Sequence, residues 1–250
     1  MARPPSLGRI ILRWQARGND GNLPPGGAML LAIEGIDGAG KGTLTRALLA
    51  RAAAAGVSAA SLAFPRYGET GFARLVADYL NGRFGRLDQV SVHFAATLYA
   101  GDRLESLPRL RALVAGHRLV VLDRYVASNA AYNAAKLPPA DRPTFLDWLY
   151  EMEHDYLALP LADTTCLLRT PPAVAGELVG RKGARDYTSA KADLHEKDRR
   201  YLERVAEVYE ALAGEQRRSR WLVLDSIGSH GLRAPEAIAD DLWRRLQPFG

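Results

Sequence analysis

The stretch Met29-Leu30-Leu31-Ala32-Ile33-Glu34-Gly35-Ile36-Asp37-Gly38-Ala39-Gly40-Lys41-Gly42-Thr43 decides the fold. Five apolar residues of strand length run straight into three glycines, and a helical pattern over Thr43–Ala54 follows. Strand, glycine turn and helix together form the context in which G-x-x-x-x-G-K has a physical meaning. Glycines at 35, 38 and 40 let backbone N–H groups turn inward around phosphate oxygens, and the helix start adds the positive end of its dipole. Lys41 supplies a mobile point charge. The residue after the lysine of such loops usually carries a hydroxyl for Mg²⁺. Here it is Gly42, with Thr43 next, so a magnesium ion must be held by carboxylates, waters and the nucleotide.

Working outward, apolar runs at Met29–Ile33, Ala59–Phe64, Leu119–Leu122, Thr165–Leu168 and Trp221–Leu224 have strand length, and several are almost continuous. Strands buried on both faces of a parallel sheet read that way. Helical patterns at Thr43–Ala54, Gly71–Leu80, Gln89–Leu104, Arg142–Leu157, Glu196–Leu212 and Pro235–Leu246 lie between and after them. The alternation predicts a three-layer α/β/α domain on a five-stranded parallel sheet, wound by right-handed crossovers. It extends over residues 29–250, with a short Gly- and Arg-rich lid at about 180–195. Residues 1–28 hold Pro4-Pro5, Pro24-Pro25 and Gly26-Gly27 around a short apolar island, and read as a disordered extension.

The net charge of +5 raises a nucleic-acid role. Residues 1–28, however, carry Arg3, Arg9, Arg13 and Arg17 against Asp20 alone, and account for most of the excess. No basic patch interleaved with aromatics follows, so neither nucleic acid nor membrane is expected as a partner. The single cysteine, Cys166, rules out an internal disulfide and a cysteine metal cluster; in Thr164–Leu168 it reads as a core residue.

A second constellation ends the third strand: Leu119-Val120-Val121-Leu122-Asp123-Arg124-Tyr125. The carboxyl ends of strands in an open α/β sheet face the ligand crevice. There Asp123 can hold Mg²⁺ through water and Arg124 can clamp a phosphate bidentately. Arg66 in Phe64-Pro65-Arg66-Tyr67 and Arg103 after Asp102 are further candidate cations, which makes a second phosphate site distinct from the first.

Taken in order, Glu34–Lys41, Phe64–Tyr67, Ala96–Arg103 and Asp123–Tyr132 resemble the bacterial thymidylate kinases, and the resemblance covers about residues 29–247. It implies a P-loop NTPase fold and an enzyme that uses ATP and Mg²⁺ to phosphorylate dTMP to dTDP in dTTP biosynthesis, acting as a cytoplasmic homodimer with α-helix 89–104 at the contact. By the same resemblance, Gly35, Ile36, Asp37, Gly38, Ala39, Gly40, Lys41, Gly42 and Thr43 bind ATP. Phe64, Pro65, Arg66, Tyr67, Tyr99, Arg103, Arg124, Asn129 and Tyr132 surround dTMP. Arg66 and Arg124 hold its phosphate, Tyr99 stacks on the base, Arg103 and Asn129 meet the base edge and Tyr132 packs beside the sugar. Asp37 faces the acceptor phosphate and, with Asp123 and Glu196, bears on the metal. Arg181 and Arg185 of the lid join Lys41, Asp37 and Arg124 as catalytic groups, while Asp193 and His195 lie near the sugar. His195 stands where relatives often have Tyr. The Gly-Lys-Gly-Thr string also resembles adenylate kinases. A kinase of another nucleoside monophosphate or deoxynucleoside, and a non-catalytic nucleotide switch, are therefore the alternatives.

Overall fold

The structure, a computed structural model, describes residues 27–180 and 199–246. Its five main strands are β1 (Met29–Glu34), β2 (Ala59–Ala63), β3 (Leu119–Asp123), β4 (Thr164–Arg169) and β5 (Arg220–Asp225). They form one sheet in the order β2-β3-β1-β4-β5, with every neighbouring pair parallel. β1 sits at the centre, and all six of its residues are buried, as its unbroken apolar run requires. Because the strands are parallel, β1, β2 and β3 all end on one edge of the sheet. The glycine loop, Phe64–Tyr67 and Arg124 are thereby brought to the same side.

The helices are α1 (Lys41–Ala54), α2 (Gly71–Leu80), α3 (Val92–Glu105), α4 (Leu107–Gly116), α5 (Val126–Ala134), α6 (Arg142–Tyr150), α7 (Pro172–Gly180), α8 (Arg199–Gly214) and α9 (Pro235–Leu246). α1 packs on α9, where Arg51 lies 5.2 Å over the Trp243 ring and pairs with Asp240. α5 lies between α3 and α8, and α2 packs on α3 around Val76, Tyr79, Leu80, Ala95 and Leu98. The main core runs from Met29 to Leu246. Cys166 is buried in it, and burial pushes its thiol up to about 12.

The expected α/β/α layering and five-stranded parallel sheet are present, but several helices depart from their predicted bounds. The helix predicted over Gln89–Leu104 begins at Val92, and a separate α4 follows Ser106. Pro108 falls in the first turn of α4, where a missing N–H costs nothing. α5 carried no polar stripe to mark it, because seven of its nine residues are buried. The single helix expected over Arg142–Leu157 is α-helical only to Tyr150 and then widens into a π-helical turn, Glu151–Tyr156. A two-residue antiparallel pair, β6 (Ile227–Gly228) with β7 (Gly231–Leu232), had no sequence signal.

Candidate active site

The glycine loop closes over β1 as the spacing required. Gly40 caps α1 with φ +97°, a conformation that side chains rarely adopt. A Cβ at Gly35 would lie 2.7 Å from the Leu168 carbonyl oxygen, so only glycine lets the loop pass β4. Lys41 turns back into the loop and donates to the carbonyls of Gly35 (2.9 Å) and Ile36 (2.8 Å). Burial pushes its ammonium down to about 7, aided by the Arg124 charge and opposed by Asp37, Asp123 and Glu34.

Gly42 has a structural reason. A Cβ there would come within 3.1 Å of Asp123 Oδ2, so the absent side chain admits the carboxylate to the mouth of the loop. Asp37 and Asp123 are hard oxygen donors beside the phosphate cradle, the donor type that Mg²⁺ takes together with phosphate oxygens and water. Among the described residues no group of three or more His, Cys, Asp or Glu could hold a metal alone. The two carboxylates fit an ion that completes its shell with phosphate oxygens and water.

Arg124 occupies the left-handed backbone region (φ +69°) at the end of β3, with its N–H donating to Ile33 at 3.0 Å. This twist sends its guanidinium back across the sheet edge to the Asp37 carboxylate, with Ser128 Oγ at 3.3 Å and the Tyr132 ring 5.3 Å away. The Tyr132 hydroxyl accepts from the Asp37 N–H at 2.8 Å. Beneath this cluster lies Glu34, the last residue of β1 and fully buried, to which the sequence pattern assigned no role. It accepts from the Tyr125 N–H (2.8 Å), Ser128 Oγ (2.5 Å) and the Tyr209 hydroxyl (3.0 Å). Burial raises its carboxyl above the usual range, although Ser128 and Arg124 pull the other way.

A pocket opens beside Asp37 and Arg124. Phe64, Pro65, Tyr67, Tyr99, Arg103, Asn129 and Tyr132 line it, as do Leu80, Tyr125, Ser128 and Asn133, which the sequence had not singled out. Tyr99 is half-buried on α3 and so presents part of its ring to the cavity. Asp102 and Arg103, adjacent in sequence, do different work. Asp102 turns toward β2's end, accepting from the Arg66 N–H (3.0 Å) and Thr70 Oγ1 (2.6 Å), and burial raises its carboxyl. Arg103 pairs with Glu153 of the π-helical turn, at 2.6 and 2.5 Å, with side chains 3% and 0% exposed. Burial is the largest single influence and pulls Arg103 down, but the charge and hydrogen bonds of Glu153, with Tyr125 and Asp102, together outweigh it and the net direction is up.

Arg66 stands apart from the other expected clamp residues. Its guanidinium pairs with Glu69 and donates to Ser106 Oγ at 3.3 Å, and it is absent from the pocket lining. Arg181, Arg185, Asp193, His195 and Glu196 lie outside the described residues.

A family model described as Thymidylate kinase matches residues 33–230. A thymidylate kinase of Mycobacterium tuberculosis strain H37Rv is 42% identical over 196 residues, covering 78% of this chain and 91% of that protein. The Homo sapiens thymidylate kinase is 30% identical over 148 residues, or 59% of this chain and 64% of the other. Among solved structures, thymidylate kinase from Candida albicans superposes with a TM-score of 0.65 at 20% identity, covering 88% of this chain and 92% of that one. At that identity the likeness speaks to the fold alone.

Proposed function

The chain belongs to the thymidylate kinase family and phosphorylates dTMP to dTDP, and we propose that ATP carrying Mg²⁺ is the donor and that the residues described above divide the work. ATP lies with its β- and γ-phosphates in the Gly35–Thr43 loop, and dTMP lies in the pocket that Tyr99 and Arg103 line. An oxygen of the dTMP phosphate, ionised at neutral pH, attacks the γ-phosphorus in line as the bond to the β–γ bridging oxygen breaks and ADP departs. No general base is needed, since the nucleophile is already an anion; positioning and charge neutralisation carry the rate.

Arg124 holds the acceptor phosphate, and its pairing with Asp37 makes that carboxylate the bridge between the two substrates. Lys41 leaves the Gly35 and Ile36 carbonyls for the γ-phosphate. When bound, Mg²⁺ neutralises the developing charge on the transferred group, with Asp37 and Asp123 as its protein-side carboxylates. Glu196 stays part of the reading as a third acid near the metal. Arg66 joins the phosphate clamp by turning away from Glu69, and Tyr132 sits against the sugar. Arg181 and Arg185 act from the lid, with Asp193 and His195 near the sugar.

A homodimer through α3 is part of this reading, supported by Phe94 and Leu104, large apolar side chains exposed on that helix. No described helix is long and apolar enough to cross a membrane, and we place the enzyme in the cytoplasm without nucleic-acid partners.

The observation that carries the reading is the Arg124–Asp37 pair, which joins a nucleotide pocket to a phosphate loop. The test is a coupled ADP-release assay of the purified chain with ATP–Mg²⁺ across dTMP, dUMP, dCMP, AMP and GMP. Turnover highest with dTMP is expected. Turnover with no monophosphate, or with AMP alone, would overturn it.

A further inference from the structure

Glu153 contacts neither the glycine loop nor the pocket surface, yet it touches two of the residues that line that pocket. Its Oε1 accepts from Arg103 Nη2 (2.5 Å) and Asn129 Nδ2 (2.7 Å), and its Oε2 accepts from Arg103 Nε (2.6 Å). The second N–H of the Asn129 amide goes to the Ala96 carbonyl at 2.9 Å. Asn129 has then spent both of its donors on the protein and can offer the pocket only an acceptor.

The other end of the chain is fixed as well. Asn129 Oδ1 accepts from Asn133 Nδ2 at 2.8 Å, and Asn133 Oδ1 accepts from Lys136 Nζ at 3.1 Å. Donors and acceptors run head to tail from an ammonium, which can only donate, to a carboxylate, which can only accept. Flipping either amide would set donor against donor at Lys136 or acceptor against acceptor at Glu153. A carbonyl oxygen has two lone pairs, so Asn129 Oδ1 keeps one beyond its bond from Asn133. Arg103 is held side-on through Nε and Nη2, which directs Nη1, a donor only, away from Glu153. Nη1 has no partner among the described residues.

Resting on the dTMP reading above, we propose that Glu153 is a specificity-positioning residue: it aims the free Arg103 donor and fixes Asn129 as an acceptor, a pattern that accepts a 4-oxo, N3–H pyrimidine and rejects a 4-amino one. Thymine and uracil present an acceptor at O4 and a donor at N3. Cytosine presents a donor at N4 and an acceptor at N3, so it mismatches at both positions. A mismatch that leaves buried polar groups unpaired is what gives a site large discrimination. The signal is not local in sequence. Glu153 is 50 residues from Arg103 and 24 from Asn129, and the π-helical turn sets where it falls.

The test compares kcat/KM for dTMP and dCMP, with ATP–Mg²⁺, in the wild type and in Glu153→Gln. A glutamine offers one oxygen where the carboxylate offered two, so its NH₂ must face an N–H of Arg103 or of Asn129, and the two are no longer held together. The expected result is a fall in kcat/KM for dTMP of about 10–100-fold, mostly in KM, with the dCMP:dTMP ratio rising at least about tenfold. ATP affinity should stay within about twofold. Glu153→Asp keeps the charge but draws both oxygens back from Arg103 and Asn129, and should raise the same ratio about threefold or more. It serves as the deciding variant if Glu153→Gln does not fold. A wild type that does not prefer dTMP over dCMP would defeat the functional reading itself. A wild type that prefers dTMP, with a ratio unchanged in the folded variants, would overturn the role of Glu153 alone, leaving it a structural ion-pair partner.

Discussion

Arg124, at the end of β3, places its guanidinium on the Asp37 carboxylate inside the glycine loop, although 87 residues separate them. A guanidinium already held in place spends little further conformational entropy when a phosphate arrives, and it presents parallel N–H donors to two oxygens at once. Arg124→Ala is expected to lower kcat/KM for dTMP by about 10³-fold, with ATP affinity changed far less. Arg124→Lys should recover little, because an ammonium cannot reproduce the fork. Steady-state kinetics over a dTMP series, with ATP binding followed by calorimetry, checks both.

Lys41 gives a pH signature. In the empty loop its ammonium titrates at about 7, and a bound polyphosphate restores the charge, raising it toward or beyond the ordinary ~10.4. Between those limits the complex holds a proton that the free enzyme lacks, so nucleotide binding takes up a proton and affinity falls as pH rises. Below about pH 7 the uptake fades, because Lys41 is charged in both states. Calorimetry at pH 8 in two buffers of different ionisation enthalpy should show close to one proton taken up per nucleotide. Lys41→Met should abolish the difference; equal heats in the two buffers for the wild type would refute it.

Glu34 braces the strand end from which Arg124 projects. Glu34→Ala would strand the Tyr125 N–H and the Ser128 and Tyr209 hydroxyls, and is expected to cost about 3 kcal/mol. Glu34→Gln, which keeps one acceptor, should cost about half as much. The folded carboxyl titrates above its usual range, so between the unfolded and folded values the native state binds the extra proton. Wild-type stability therefore gains as pH falls toward about 4.5, a gain the glutamine variant lacks. Urea unfolding at pH 7 and pH 5 should show the deficit of Glu34→Gln widening at the lower pH.

Gly35→Ala tests the loop's passage over β4. The new Cβ would press within 2.7 Å of a backbone oxygen, at a φ of +146° that alanine resists. A loss of about 2–4 kcal/mol is expected, a fall in Tm of about 5–15 °C for a chain of this size. Thermal melting checks it; a variant as stable as the wild type would mean that the loop does not sit against Leu168.

Much of this was legible in the chain before any coordinates. The glycine spacing after an apolar run specified strand, cradle and helix, because φ above zero and close backbone approach are local demands that only glycine meets. Continuous apolar strands specified a doubly covered parallel sheet, since a strand with one wet face would alternate. The Asp123–Arg124 pair could be placed at a ligand-facing edge by strand polarity alone.

Tertiary structure decided the partners. No periodicity announces that Arg103 faces Glu153 while its neighbour Asp102 faces Arg66, or that Glu34 carries three hydrogen bonds beneath the site. Those pairings join residues dozens of positions apart, and they form only when α3, α5 and the π-helical turn pack together and exclude water. Gly42 shows the same division: the sequence revealed a missing hydroxyl, and only the packed structure showed the Asp123 carboxylate filling the space. Backbone conformation answers to the residue that adopts it, whereas the fate of a buried charge depends on what folding brings against it.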